Sequence, residues 1–240
     1  MKYVLLLSLL GFLSFEIQGS NAIESEKGKK LESKISMHMS LLSDDIKTYG
    51  ESHPRIAMRR NIIAATWYSL GEFSKAIQFY ELALDSNLEN YQENHEEIVI
   101  GWKNLASAWD QMGKYEKSII YHEKSLERDI QVFGKAHWKV AEGRHFIGQT
   151  RLLLKQYKKA IEYYMLALPE YKNIYGEEHS KVALLYNNIA SGWSSLGNKK
   201  KAIEFYRLAL VGLEKTYGKD HIHSKTVSDN LENILQSSKD

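Results

Sequence analysis

The sequence predicts an all-α fold, a right-handed superhelical array of antiparallel helix pairs with about ten helices. Three observations carry this. A segment recurs every 42 residues without a slip: Leu70 to Leu84, Met112 to Leu126, Lys155 to Leu168 and Gly197 to Leu210. Two marker series keep the same interval, Tyr49, Tyr91, Phe133, Tyr175, Tyr217 and His53, His95, His137, His179, His221. Apolar residues fall at three- and four-residue steps, and only 2 prolines interrupt 240 residues.

Composition narrows the function. Apolar content of 43% supports a buried core, and a formal charge of +2, with lysines and glutamates interspersed along helix faces, implies neither nucleic acid nor an anionic membrane as partner. There is no cysteine, so disulfides and thiolate chemistry are excluded. An array whose units touch only their neighbours counts as one elongated domain.

The elements follow in order. Met1-Lys2-Tyr3 precedes an apolar run from Val4 to Phe15, which reads as a signal peptide over residues 1–22 with cleavage after Ala22, or alternatively after Gly19. The run is too short to span a bilayer comfortably, so no span is expected in the mature chain; a packed helix or an uncleaved anchor is the alternative. The protein is therefore expected to be exported, to a periplasm or outside the cell. Residues 23–49 form a lone capping helix, with Leu31, Ile35, Met39, Leu42 and Ile46 as its apolar stripe. Four full units occupy 50–91, 92–133, 134–175 and 176–217, and a closing helix occupies 218–240 with Val227, Leu231 and Ile234 inward.

Within the first full unit, Tyr49-Gly50 closes the preceding helix and His53-Pro54 opens the next, with proline where its missing N–H costs nothing. The first helix sets Ile56, Arg60, Ile63, Ala64 and Trp67 on one face; the second carries Phe73, Ala76, Ile77, Tyr80, Ala83 and Leu84. Small residues at Ala64, Ala76 and Ala83 let the two axes approach.

Trp102, Leu105-Ala106, Trp109, Gly113, Tyr115 and Ser118, with Tyr186, Ile189-Ala190, Trp193, Gly197, Ala202, Tyr206 and Ala209, resemble the tetratricopeptide repeat. Its usual unit is 34 residues. The longer spacing, with Tyr175-Gly176 and His179 followed by Asn187-Asn188-Ile189-Ala190, is similar to the long-helix variant of kinesin light chains. The third unit departs from the pattern. Arg144 and Arg151 stand at core-type positions, Lys155 replaces glycine, and Pro169 falls inside the second helix, where it should kink the chain near Met165 to Pro169. The two arginines must find acceptors, expected in Glu142 or Glu162 or in an acidic side chain of a partner.

No enzyme is expected. The five periodic histidines recur about one helix layer apart, on the order of 10 Å, too far to share a metal, and each is placed to cap or pack at a helix entrance. His95-Glu96 and His122-Glu123 begin like a zinc-protease helix, but Val99 and Leu126 occupy the second histidine's place. There is no phosphate-cradling glycine loop and no nucleophile turn. No catalytic residue, metal or cofactor is assigned.

What remains is a surface. The first helices of stacked pairs line an inner wall, and the 42-residue step predicts wall residues Asn61, Lys103, His145 and Asn187, then Ser107, Gln149 and Ser191, then Tyr68, with Arg144 beside them. The resemblance adds Asn104 and Asn188, which match the family's asparagine and imply hydrogen bonds to a ligand backbone. The expected function is a non-catalytic adaptor holding a peptide or loop of a protein partner in a polar concave groove. The alternative is a structural subunit assembling through helix faces or array ends with copies of itself or with envelope components.

Overall fold

The computed structural model describes residues 20–93 and 95–236. Among these residues there are ten α-helices and no strand: α1 Ser20–Tyr49, α2 Pro54–Ser69, α3 Phe73–Asn90, α4 Glu96–Gln111, α5 Tyr115–Phe133, α6 Trp138–Leu153, α7 Tyr157–Tyr175, α8 Ser180–Ser195, α9 Lys199–Tyr217 and α10 Ile222–Gln236. The signal peptide expected over 1–22 lies outside the described residues, apart from the last three, which open α1.

The chain divides into two compact units, 1–90 and 91–240. In the first, α1 packs on α2 and α2 on α3; in the second, each of α4 to α9 packs on the helix that follows it. The division falls at the one inter-repeat junction without glycine: Gly50, Gly134, Gly176 and Gly218 all have positive φ, whereas the equivalent residue is Gln92.

Turns inside the helix pairs follow one plan. The N–H of Glu72 reaches the Trp67 carbonyl and that of Gly71 the Tyr68 carbonyl, satisfying two of the last carbonyls of α2. The same two bonds recur at Lys114 and Gly113, Gln156 and Lys155, and Asn198 and Gly197. The motif demands a left-handed residue, and Lys155 adopts φ of 59° where the other three are glycine.

The histidines at the junctions cap. His53, His95, His137 and His179 each accept, through Nδ1, the backbone N–H two residues on, at 3.2 to 3.3 Å, and His221 does so for His223. Each ring also stacks on the aromatic four residues earlier, at 4.9 Å for Tyr49, 3.9 Å for Tyr91, 4.4 Å for Phe133, 5.1 Å for Tyr175 and 4.5 Å for Tyr217. The two marker series are thus one device that joins consecutive repeats.

Helix pairs close over apolar side chains. Ile56, Ile63, Ile98, Leu105, Val140, Ile147, Leu185 and Ile189 of the first helices are fully buried; Ile56 and Ile63 cluster with Leu42 of α1 and Phe79 of α3, and Val140 and Ile147 with Leu126 of α5 and Tyr163 of α7. In α1, Ile35 and Leu42 are buried, while Met39, expected on the apolar stripe, is exposed. That face is held instead by Asp45, which accepts from Arg59 at 2.7 and 2.9 Å and from Arg55 at 3.0 Å. Two guanidinium groups hold the Asp45 carboxyl below the usual carboxylate range, Arg59 most strongly. α7 continues as one helix through Pro169, which is exposed.

Candidate functional site

The expected wall residues fall on two stripes of the first helices, which do different things. One stripe faces the second helix of its own pair. Lys103 of α4 bonds Asp129 of α5 at 3.1 Å, and His145 Nδ1 of α6 lies 2.9 Å from the Tyr171 hydroxyl of α7. Asn187 is buried, and both it and Asn61 keep a buried side-chain oxygen without a partner among the described residues. Arg144 donates to the Leu166 carbonyl at 2.9 Å, as Arg60 does to Leu82 at 3.2 Å in a pair whose second helix has no proline. Tyr68 lies edge-on to Phe73 at 5.2 Å. Polar residues at this level join α2 to α3, α4 to α5 and α6 to α7.

The second stripe lies open. In the second compact unit it runs at steps of four and three residues through Ile100, Asn104 and Ser107 on α4, Glu142, Phe146 and Gln149 on α6, and Leu184, Asn188 and Ser191 on α8. Asn104, Gln149 and Asn188 are partly exposed and Ser107 is exposed, while Ser191, partly exposed, bonds the Tyr206 hydroxyl of α9 at 3.2 Å. Thr150 Oγ1 of α6 donates to the Asp110 carboxylate of α4 at 3.1 Å, Lys139 bonds Glu96 at 2.9 Å, and α6 touches α8, so the three stripes lie side by side. Between the polar residues stand Ile100 and Phe146, 40% and 39% exposed, so the surface is less polar than the wall read from the sequence. Phe146 was not singled out by the sequence, because its equivalents Ile62, Asn104 and Asn188 share no residue type with it.

Phe146 is also held in place. Its ring lies parallel to His122 at 5.6 Å and to His145 at 5.9 Å. His122 is buried, its Nε2 3.5 Å from Asp110 Oδ2 without the alignment of a hydrogen bond. His145 is enclosed by Tyr164 and Tyr171, and burial pushes its imidazole down to about 4 and both phenols upward.

The acceptors of Arg151 differ from those expected. Its Nη2 bonds Glu123 of α5 at 2.7 Å and its Nη1 bonds Gln156, with the guanidinium 5.3 Å from the Tyr163 ring; neither Glu142 nor Glu162 takes part in these bonds. In the other units the place belongs to tryptophan, with Lys75 over Trp67, Lys117 over Trp109 and Lys201 over Trp193 at 4.0 to 4.3 Å. Among the described residues no group of three or more His, Cys, Asp or Glu is placed to hold a metal ion, and no helix is long and apolar enough to cross a membrane.

Comparison with known proteins adds the following. Models described as tetratricopeptide repeat match residues 43–85, 97–169 and 139–215. No curated protein sequence matches. Among solved structures, a protein of Podosopora anserina with nearly identical TPR-like repeats, assigned as a kinesin light chain, superposes with a TM-score of 0.70 at 14% identity, covering 82% of this chain and 93% of that one. BtubC (BKLC) from P. vanneervenii gives 0.60 at 18% identity, covering 90% and 92%. RapI in its apo form gives 0.68 at 19% identity, covering 90% and 81%. At these identities the likeness is one of fold.

Proposed function

The chain belongs to the tetratricopeptide repeat family, and from that premise we propose that it is an exported, non-catalytic adaptor that holds an extended segment of a protein partner along the open stripe of α4, α6 and α8. One observation carries the reading: two carboxamides, Asn104 and Asn188, stand partly exposed on either side of the exposed Phe146 ring. A carboxamide presents a donor and an acceptor together, which matches the N–H and C=O of an extended backbone. The aromatic ring between them offers an apolar seat for one side chain of the bound segment. The surface is nearly neutral there, which suits a segment with few charges.

A displayed peptide library selected on the mature chain, followed by fluorescence anisotropy with the selected peptides, tests this. Loss of a hydrogen bond of about 1 kcal/mol at each asparagine weakens binding by roughly tenfold or more in the Asn104→Ala, Asn188→Ala double variant. Peptides that bind the double variant and Phe146→Ala as well as the parent move the binding surface elsewhere. N-terminal sequencing of the exported protein tests the leader, with a chain beginning at Ile23 as the expected result.

A further inference from the structure

One locus repeats in every helix pair and differs chemically in each. Residues 103 and 145 of the first helices meet residues 129 and 171 of the second, Lys with Asp and His with Tyr, and the equivalent positions carry Asn61 with Asn87 and Asn187 with Leu213. The asparagines do not titrate. Lys103 has a carboxylate 3.1 Å away to balance its charge. The third pair alone places a titratable base, His145, opposite a neutral hydroxyl.

We propose that the α6–α7 pair is an acid-sensitive hinge within the second compact unit: protonation of His145 leaves an unbalanced charge between the two helices and loosens α6 from α7 while the neighbouring pairs hold. The groups around the imidazole offer it little relief. α7 contributes the hydroxyls of Tyr171 and Tyr164, and the Tyr164 hydroxyl is itself buried without a partner among the described residues. α5 contributes His122, another base, across the Phe146 ring, with Asp110 beyond it. On α6 itself, Glu142 lies one turn back, and Arg144 is bonded to the Leu166 carbonyl. α8 contributes Lys181, bonded to the Tyr175 hydroxyl.

The same pair carries three local weaknesses. Lys155 is forced into a left-handed turn, Pro169 removes one helical hydrogen bond of α7, and a buried guanidinium nitrogen of Arg151 has no partner among the described residues. An added charge therefore falls on a pair that already carries local strain. The sign follows from linkage. Burial holds the folded imidazole at about 4 against 6.5 when the pair is open, so the open form binds the proton first and opening is favoured as pH falls from about 6.5 towards 4. The capping histidines also lose an acceptor when protonated, but they occur at every junction and act on every repeat alike.

Hydrogen exchange of the full chain at pH 7 and pH 4.5, corrected for intrinsic rates, reads the device. Protection of α6 and α7 peptides is expected to fall by roughly fifty- to hundredfold, with a far smaller change in α4–α5 and α8–α9. His145→Asn, which installs the residue found at Asn61 and Asn187, is expected to abolish the selective loss. Uniform loss across all pairs overturns the proposal, as does a selective loss that survives His145→Asn or disappears in His122→Tyr alone. A His145 imidazole that titrates near 6.5 in the folded chain, followed by NMR with no change in α6–α7 protection, overturns it as well.

Discussion

Arg151 Nη2 lies 2.7 Å from Glu123 Oε1, so the third repeat is tied to the second by an ion pair at the place where the other three carry a tryptophan. Glu123 is half-exposed, and such pairs contribute little. Tryptophan at 151 restores the ring that Lys159 is placed to cover, by analogy with Lys75, Lys117 and Lys201. Arg151→Trp is therefore expected to keep or raise the unfolding midpoint in urea. A loss above about 1 kcal/mol would show that the arginine is needed where it is.

Lys155 has φ of 59° in a turn where Gly71, Gly113 and Gly197 have 69 to 79°, and a β-carbon at a glycine position there meets nothing within 4 Å. The cost is thus one of backbone conformation and not of crowding. Lys155→Gly should stabilise the second compact unit by about 1 kcal/mol, offset in part by the greater freedom of glycine in the unfolded chain. Thermal unfolding at neutral pH checks it.

Repeat consensus gives the wrong advice at position 148. Ala64, Ala106 and Ala190 are its equivalents, yet a β-carbon on Gly148 meets the Tyr164 ring at 2.7 Å. Tyr164 is fully buried, so the ring has nowhere to retreat. Gly148→Ala is expected to destabilise by about 1 to 3 kcal/mol in chemical denaturation, and a neutral result would mean that α6 and α7 separate easily.

His179 both caps α8 and stacks on Tyr175. His179→Ala removes both contacts and should cost about 1 kcal/mol, whereas His179→Asn, which keeps a capping acceptor, should cost less. Equal losses in the two variants would assign the contribution to the stack alone.

Acid acts on the two compact units in different windows. Asp45 has its carboxyl held below the ordinary value by Arg59 and Arg55, so its contribution is present above about pH 4 and is lost as pH falls through the lowered folded value. The Asp45 contribution to the first unit should therefore be lost in that lower range, below the window assigned to His145. Asp45→Asn should lower the stability of α1 on α2 at pH 7 and remove that part of the acid dependence, seen in urea melts at pH 7 and pH 3.

Much of the fold was legible because its determinants are periodic. The 42-residue step located ten helices, and glycine, proline and histidine marked where they begin and end. The partners of single polar side chains were not legible, since a helical face tells which way a residue points and nothing of what stands opposite. Lys103 and His145 read as open wall residues until Asp129 and Tyr171 appeared against them. Arg55, Arg59 and Asp45 lie 10 to 14 residues apart on two helices and left no local pattern. Asn104 and Asn188 were named from the family resemblance and not from the step of 42, since Ile62 and Phe146 stand at the equivalent positions. Gln92, at a junction that elsewhere has glycine, was a readable sign of the division into two units.

Every junction histidine finds its aromatic neighbour and its capped amide within a span from four residues before to two residues after itself. A junction of that kind is self-contained: a whole 42-residue copy can be gained or lost by in-frame duplication or deletion, and the new neighbours meet through a seam identical to the old one. The length of such a protein is then free to drift in whole steps over generations.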